Sequence, residues 1–288
     1  MRAKHLAASC VAALALAARP GVPYAEPASV SRPFSLGELS IERRAESALR
    51  VGRFDCDGCF EGSGFTLVAW DLSVALPVAD SAALFVLQPI LFRSSGDPVG
   101  ASHKFPGALT FGARHAGLVG PELSLATAMS VSLPYPGGGE AGVTTRLAGN
   151  MIDDSSLYTT GGGTLRIELD VGRQWAPLFA QAQLAVAAHS NEAGLAGSSR
   201  IGVGAGVQLL ERAALLLELT ALLGAAQLAC EHCSGERPRE GIGRPVLSVG
   251  GRVALGPWGL GARGLLPLTD TADQEARPSL SVTIDARF

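Results

Sequence analysis

A hydrophobic period of two residues, sustained over most of the chain, limits what this polypeptide can become more than any other feature. It is clearest from Thr164 to Val171, where Leu165, Ile167, Leu169 and Val171 alternate with Thr164, Arg166, Glu168 and Asp170. Successive strand side chains point to opposite faces, so one face here is aliphatic and the other charged. A helix would scatter the same charges around its circumference. The pattern recurs: Trp70, Leu72, Val74, Leu76 and Val78 oppose Asp71 and Ser73, and Ile201, Val203, Ala205, Val207 and Leu209 oppose Arg200, three glycines and Gln208. Segments 122–133, 213–224 and 244–255 read the same way, whereas 47–54 and 108–118 are weaker.

Followed along the chain, the period predicts strands at 47–54, 64–78, 82–92, 108–118, 122–133, 164–172, 178–188, 199–210, 213–224, 244–255, 258–268 and 279–288. Connections after even-numbered strands are short, as at Ala79-Asp80-Ser81, Glu211-Arg212 and Gly256-Pro257. Those after odd-numbered strands are long: 55–63, 93–107, 134–163, 189–198, 225–243 and 269–278. Such alternation suits a barrel with turns at one rim and loops at the other. The expected fold class is all-β, a transmembrane antiparallel up-and-down β-barrel of about twelve strands, with ten to fourteen as the range.

Composition agrees. Of 288 residues, 47% are hydrophobic and 17% charged, yet beyond Ala18 no apolar run approaches the ~20 residues of a membrane helix. Apolar residues are plentiful but dispersed, as in strands that show lipid only every second residue. A net charge of −3 offers no basic face, so nucleic acid is not an expected partner.

The amino terminus reads as an export signal over 1–25: Arg2 and Lys4 precede an apolar core from Leu6 to Ala18, broken by Arg19, Pro20 and Pro23. Cleavage after Ala17 or Ala25 fits equally. Cys10 lies inside the apolar core and is expected to leave with it. Residues 26–45, polar and Pro-containing, read as a short periplasmic lead-in. The barrel itself is assigned to 46–288, with long extracellular loops including 134–163.

With the aliphatic face toward lipid, the lumen is expected to receive Arg114, Arg166, Arg200, Arg252, Arg263 and Arg287, together with Asp71, Glu122, Glu168, Asp170, Glu218 and Asp285. Equal numbers of each sign are most simply internal ion pairs and water, since unpaired charge in a narrow lumen is costly. The alternative is a charged path for a polar solute. No single-sign field stands out at this level. Lumen-facing glycines at 202, 204, 206, 250, 259 and 261 would either widen the interior or ease strand curvature.

Four cysteines remain after signal removal, as Cys56-x-x-Cys59 and Cys230-x-x-Cys233. In an oxidising compartment these are disulfide candidates, local or cross-paired, ahead of a zinc or redox site. No metal or other cofactor is expected. Nor is an enzyme: no G-x-S-x-G elbow occurs, and His103, His115 and His189 read as surface or interfacial residues. Trp70, Trp175, Trp258, Phe111 and Phe288 supply only a sparse aromatic girdle, since aromatics are 6% of the chain.

The last strand carries the most specific local signal. Leu280, Val282, Ile284, Ala286 and Phe288 alternate with Ser281, Thr283, Asp285 and Arg287, and Phe288 is the final residue. Here the chain resembles the Gram-negative outer-membrane β-barrel protein class, transporter-like in its long 134–163 loop. The resemblance implies residence in the cell outer membrane, contact with its lipid, and recognition of this segment as an assembly signal by the barrel assembly machinery. The expected function is a passive pore or facilitator for a small-molecule solute. A structural or adhesive surface barrel with a plugged lumen and disulfide-stapled loops is the alternative, and an outer-membrane lipid hydrolase a more distant one.

Overall fold

The structure, a computed structural model, describes residues 32–34, 36–55, 65–95, 103–120, 122–133, 163–191, 194–223, 244–268, 275–276 and 278–287. Most of these residues lie in twelve antiparallel strands. They are β1 (Arg44–Asp55), β2 (Phe65–Ala79), β3 (Ala82–Ser95), β4 in two pieces (His103–Pro106 and Leu109–Leu118), β5 (Leu123–Leu133) and β6 (Thr164–Trp175). The second half comprises β7 (Leu178–Asn191), β8 (Gly194–Leu210), β9 (Ala213–Leu223), β10 (Arg244–Leu255), β11 (Trp258–Pro267) and β12 (Ser279–Arg287), the last preceded by the short bridge Glu275–Ala276. Each strand pairs with its chain neighbours, and the two ends meet where Arg44 to Val51 of β1 run opposite Arg287 to Leu280 of β12. The result is a closed up-and-down barrel. No helix occurs among the described residues.

Side chains alternate across this wall as the sequence period requires. In β9, Leu215, Leu217 and Leu219 are exposed on the outside while Leu216, Glu218 and Thr220 are buried inside. In β12, Leu280, Val282 and Ile284 face out, and Ser281, Thr283 and Asp285 face in. The outer surface is therefore a belt of exposed aliphatics, which water would not tolerate and hydrocarbon would. Trp175 and Trp258, exposed beside the Ala176-Pro177 and Gly256-Pro257 turns, mark one rim of that belt. The Arg173 guanidinium lies over the Trp175 ring at 4.8 Å, pairing an amphipathic anchor with a cation at the same level. Trp70 faces out from mid-wall and satisfies its indole by donating to Ser47 Oγ at 2.7 Å.

Three features depart from the sequence expectation. First, β7 and β8 extend into the supposed 189–198 loop until Asn191 pairs with Gly194, so this connection is short. Small and polar residues in 189–198 hid the strand ends. Second, the inner row of β3 is apolar: Ala83, Pro89 and Leu91 are buried, beside Leu67 and Ala69 of β2. Third, β4 is interrupted. Pro89 in β3 has no N–H to give its neighbour. Opposite it, Gly107 and Ala108 bulge from β4; the Gly107 N–H donates to the Pro89 carbonyl at 2.8 Å, and Gln88 Nε2 donates to the same carbonyl at 2.8 Å. Gln88 Nε2 also donates to the Gly107 carbonyl at 3.2 Å, standing in at the bulge for the N–H that Pro89 lacks.

Outward Val203, halfway along β8, should reject charge strongly. In a lipid bilayer Val203→Arg is expected to cost about 2–4 kcal/mol, and Leu210→Arg at the turn rim about 0–1 kcal/mol. Reversible denaturant titration of bilayer-folded protein measures both, and equal penalties would contradict the depth assignment.

Candidate functional site: the lumen

Two kinds of residue meet inside the barrel: the inward rows of the strands and the described residues of a non-strand segment, 32–34 and 36–43, that precedes β1. The sequence expectation made this segment part of a periplasmic lead-in. In the structure its residues 36–38 and 40 are buried inside the wall. Such a segment brings backbone groups with no ladder to satisfy them, so the lumen must supply partners. It does. The Phe34 N–H donates to Glu218 Oε1 at 2.5 Å, and the Gly37 N–H to Asp170 Oδ1 at 3.1 Å. Gln181 Nε2 donates to the Gly37 carbonyl at 2.6 Å, and Arg252 Nη2 to the Pro33 carbonyl at 3.3 Å.

Side chains of the segment fill spaces left in the wall. Phe34 lies under the Arg252 guanidinium at 4.3 Å and packs against Phe179, Ala214 and Leu216. Leu36 occupies the hollow at Gly202, where an added Cβ would collide with it. Gly37 itself has no room for a Cβ, because the Asp170 carboxylate stands in that place. The luminal glycines therefore act at least partly as seats for this segment, a use that neither widening nor curvature anticipates.

Glu38 anchors the segment by charge. Arg44 of β1 grips both of its oxygens, and Arg114 of β4 donates to Oε2 at 2.6 Å. Arg32 approaches Oε1 at 3.4 Å and bridges to Glu46 at 2.5 Å. Burial would push the Glu38 carboxyl upward, but Arg44, Arg32 and Arg114 outweigh it and hold the group well below the usual carboxylate range.

The expected lumen residues sort as follows. Asp71, Arg166, Asp170, Arg200 and Glu218 are buried and inward-facing, as are Arg252, Arg263 and Asp285. Arg114 and Glu168 also line the interior, and Arg287 bridges Glu42 at 3.4 Å. Glu122 does not belong: it sits exposed at the turn before β5, bonded to outward Arg173 at 3.1 Å. The alternation was carried one residue past the strand's start at Leu123. Missed from sequence were Arg44, Glu46 and Arg50, which share the inward phase of β1, and Glu38, which belongs to no periodic segment. His189, expected at a surface, is buried between Thr164 Oγ1 (2.9 Å) and Ser198 Oγ (2.7 Å). His115 faces outward near the turn rim. The cysteines at 56, 59, 230 and 233, the 134–162 stretch and Phe288 lie outside the described residues. Leu280, Val282, Ile284 and Ala286, the rest of the expected assembly signal, share the outward face of β12. Among the described residues no cluster of metal-ligating side chains occurs.

Two cavities flank the Glu38 cluster. One, of about 220 Å³, is lined by residues of nine strands as well as the segment, which puts it on the barrel axis. The other, of about 60 Å³, reaches Glu42, Arg173, Gln174 and Arg287 at the turn rim. Arg32, Glu38 and Arg44 line both and stand between them.

A carboxylate depressed in the folded state stabilises above its unfolded pKa, and loses that contribution only as pH falls through the folded value. The segment is thus expected to stay docked from pH 7 down to about 4, while Glu38→Gln loosens it across that range by on the order of 3–5 kcal/mol. Hydrogen-exchange mass spectrometry of residues 36–43, corrected for intrinsic rates, measures both. Release of the wild-type segment near pH 5 would contradict the ion cluster.

No protein-family model matches the chain, and none of the curated proteins does. Solved structures do resemble it. An outer-membrane channel from Pseudomonas putida F1 aligns over 92% of this chain and 100% of its own, with a TM-score of 0.60 and 9% sequence identity. The KdgM porin aligns over 85% of this chain and 99% of its own at a TM-score of 0.49 and 9% identity. The β domain of the Bordetella autotransporter BrkA covers 86% and 100% at a TM-score of 0.48 and 15% identity. At 9% identity the likeness to the Pseudomonas channel is one of fold alone, that of a closed antiparallel β-barrel.

Proposed function

We propose that the chain is an outer-membrane pore or facilitator for small polar molecules, narrowed on its turn side by its own segment 32–43. The carrying observation is the pairing of two surfaces on one closed wall: an aliphatic belt outside, and inside a polar, charged lumen with a cavity of about 220 Å³ on its axis. A wall of twelve strands encloses more than the eight-stranded barrels that side chains alone can fill, and less than the wide aqueous channels of sixteen to eighteen. The cost of burying luminal charge is offset by ion pairs such as Arg50 with Asp71 and Arg166 with Glu168 at 2.6 Å, so the interior tolerates water and polar solutes.

One observation favours the second reading, a surface barrel used as a plugged anchor. The segment 32–43 occupies lumen that a solute would need. Conductance separates the two. In planar bilayers the pore reading expects small steps from the full chain and several-fold larger ones once residues 32–43 are removed. Correctly folded protein that shows no steps in either form would discard the pore and leave the anchor.

A further inference from the structure

Sequence alone gave the lumen equal numbers of acids and bases, but their placement is uneven. Glu122 lies outside the lumen. Asp170 and Glu218 accept from the backbone N–H groups of Gly37 and Phe34, and Asp285 faces Arg252 at 3.4 Å; none of the three lines the axial cavity. Asp170 and Glu218 thus hold the segment, and Glu218 Oε2 also meets Arg263 at 3.7 Å. What faces the cavity from the wall is Arg44, Arg50, Arg114, Arg166, Arg200 and Arg263, with Arg32 added by the segment. Against these stand four carboxylates of the lining, Glu38, Glu46, Asp71 and Glu168, and behind the lining Glu218, which answers Arg263. Glu38 serves Arg44, Arg32 and Arg114 together, and Arg200 Nη1 donates to neutral Gln183 at 3.1 Å. The lining therefore carries a positive surplus inside low-dielectric walls, which focus the field into the cavity.

We propose that this axial cavity binds a small oxyanion, a mono- or dicarboxylate or a phosphate, with Arg200 and Arg114 among the groups that hold it. The proposal rests on the reading of the lumen as a solute path and names the class of solute. Planar guanidinium groups suit carboxylate and phosphate because each can present two parallel N–H donors. At about 220 Å³ the cavity is smaller than those of roughly 300–1,000 Å³ that enclose drug-sized ligands, which limits the guest to a few carbons. Rings of arginine are also how anion and phosphate pores select their ions.

Isothermal titration of the detergent-folded full chain with succinate, inorganic phosphate and glucose tests this. The expected result is saturable binding of succinate or phosphate and none of glucose. Arg200→Gln should weaken the anion by about tenfold, and Glu168→Gln, which removes an opposing charge, should tighten it. Anion binding no stronger than glucose binding, or binding indifferent to both variants, would overturn the proposal. The assay needs no flux. Binding without conductance would therefore remove the pore and keep the site, and conductance without binding would do the reverse.

Discussion

Closure of the backbone hydrogen-bond circuit is the constraint on which the rest of this structure depends. Hydrocarbon offers no partner for an N–H or a carbonyl, and each one left bare costs several kcal/mol. A sheet with two free edges would present two rows of them. The register of β1 on β12, Arg44 opposite Arg287 through Val51 opposite Leu280, removes both edges at once. Even the local exceptions obey the same accounting. Pro89 cannot donate, and β4 bulges opposite it while Gln88 Nε2 donates to the Gly107 carbonyl that is left over.

Closure then sets the terms for everything inside. Once every second residue is committed to the aliphatic belt, the intervening residues form a confined polar column whose charges must be neutralised locally. The wall solves this partly with itself, as where Arg50 meets Asp71, and partly with segment 32–43. The segment's one central carboxylate, Glu38, serves arginines from β1 and β4. In exchange, acids of β6 and β9 hold its backbone amides. The segment is thus bound by the same currency of hydrogen bonds that a strand would use, supplied by side chains.

The wall was legible in the sequence and its contents were not. Alternation in 164–171 and 280–286 follows from the two-residue period of a strand and needs no long-range information. The turns were legible too, because Gly256-Pro257 and Glu211-Arg212 interrupt the period. Where a strand runs on through small or polar residues, as Ser190-Asn191 does, the period fades and the end was placed too early. Glu122 failed for the opposite reason: the phase was right, but the strand had not begun. The apolar inner row of β3 removes the contrast between faces on which the reading relies.

Segment 32–43 has no period at all, and its partners Glu218 and Arg252 lie at the far end of the chain. Nothing local in Pro33, Phe34 or Gly37 points to them. The luminal glycines were a partial clue, since Gly202 and Gly261 mark places where something other than their own side chain must fill the space. The charge count included Glu122 and passed over Arg44, Glu46, Arg50 and Glu38, and a count carries no position.

Spin labels placed singly at positions 215 to 220 of β9 test the account most directly. With the protein folded in lipid vesicles, labels at 215, 217 and 219 should be accessible to oxygen dissolved in the bilayer, and those at 216, 218 and 220 shielded from it. Loss of that two-residue alternation, or accessibility to a water-soluble relaxant at 215, 217 and 219, would contradict a closed wall with its aliphatic face in hydrocarbon.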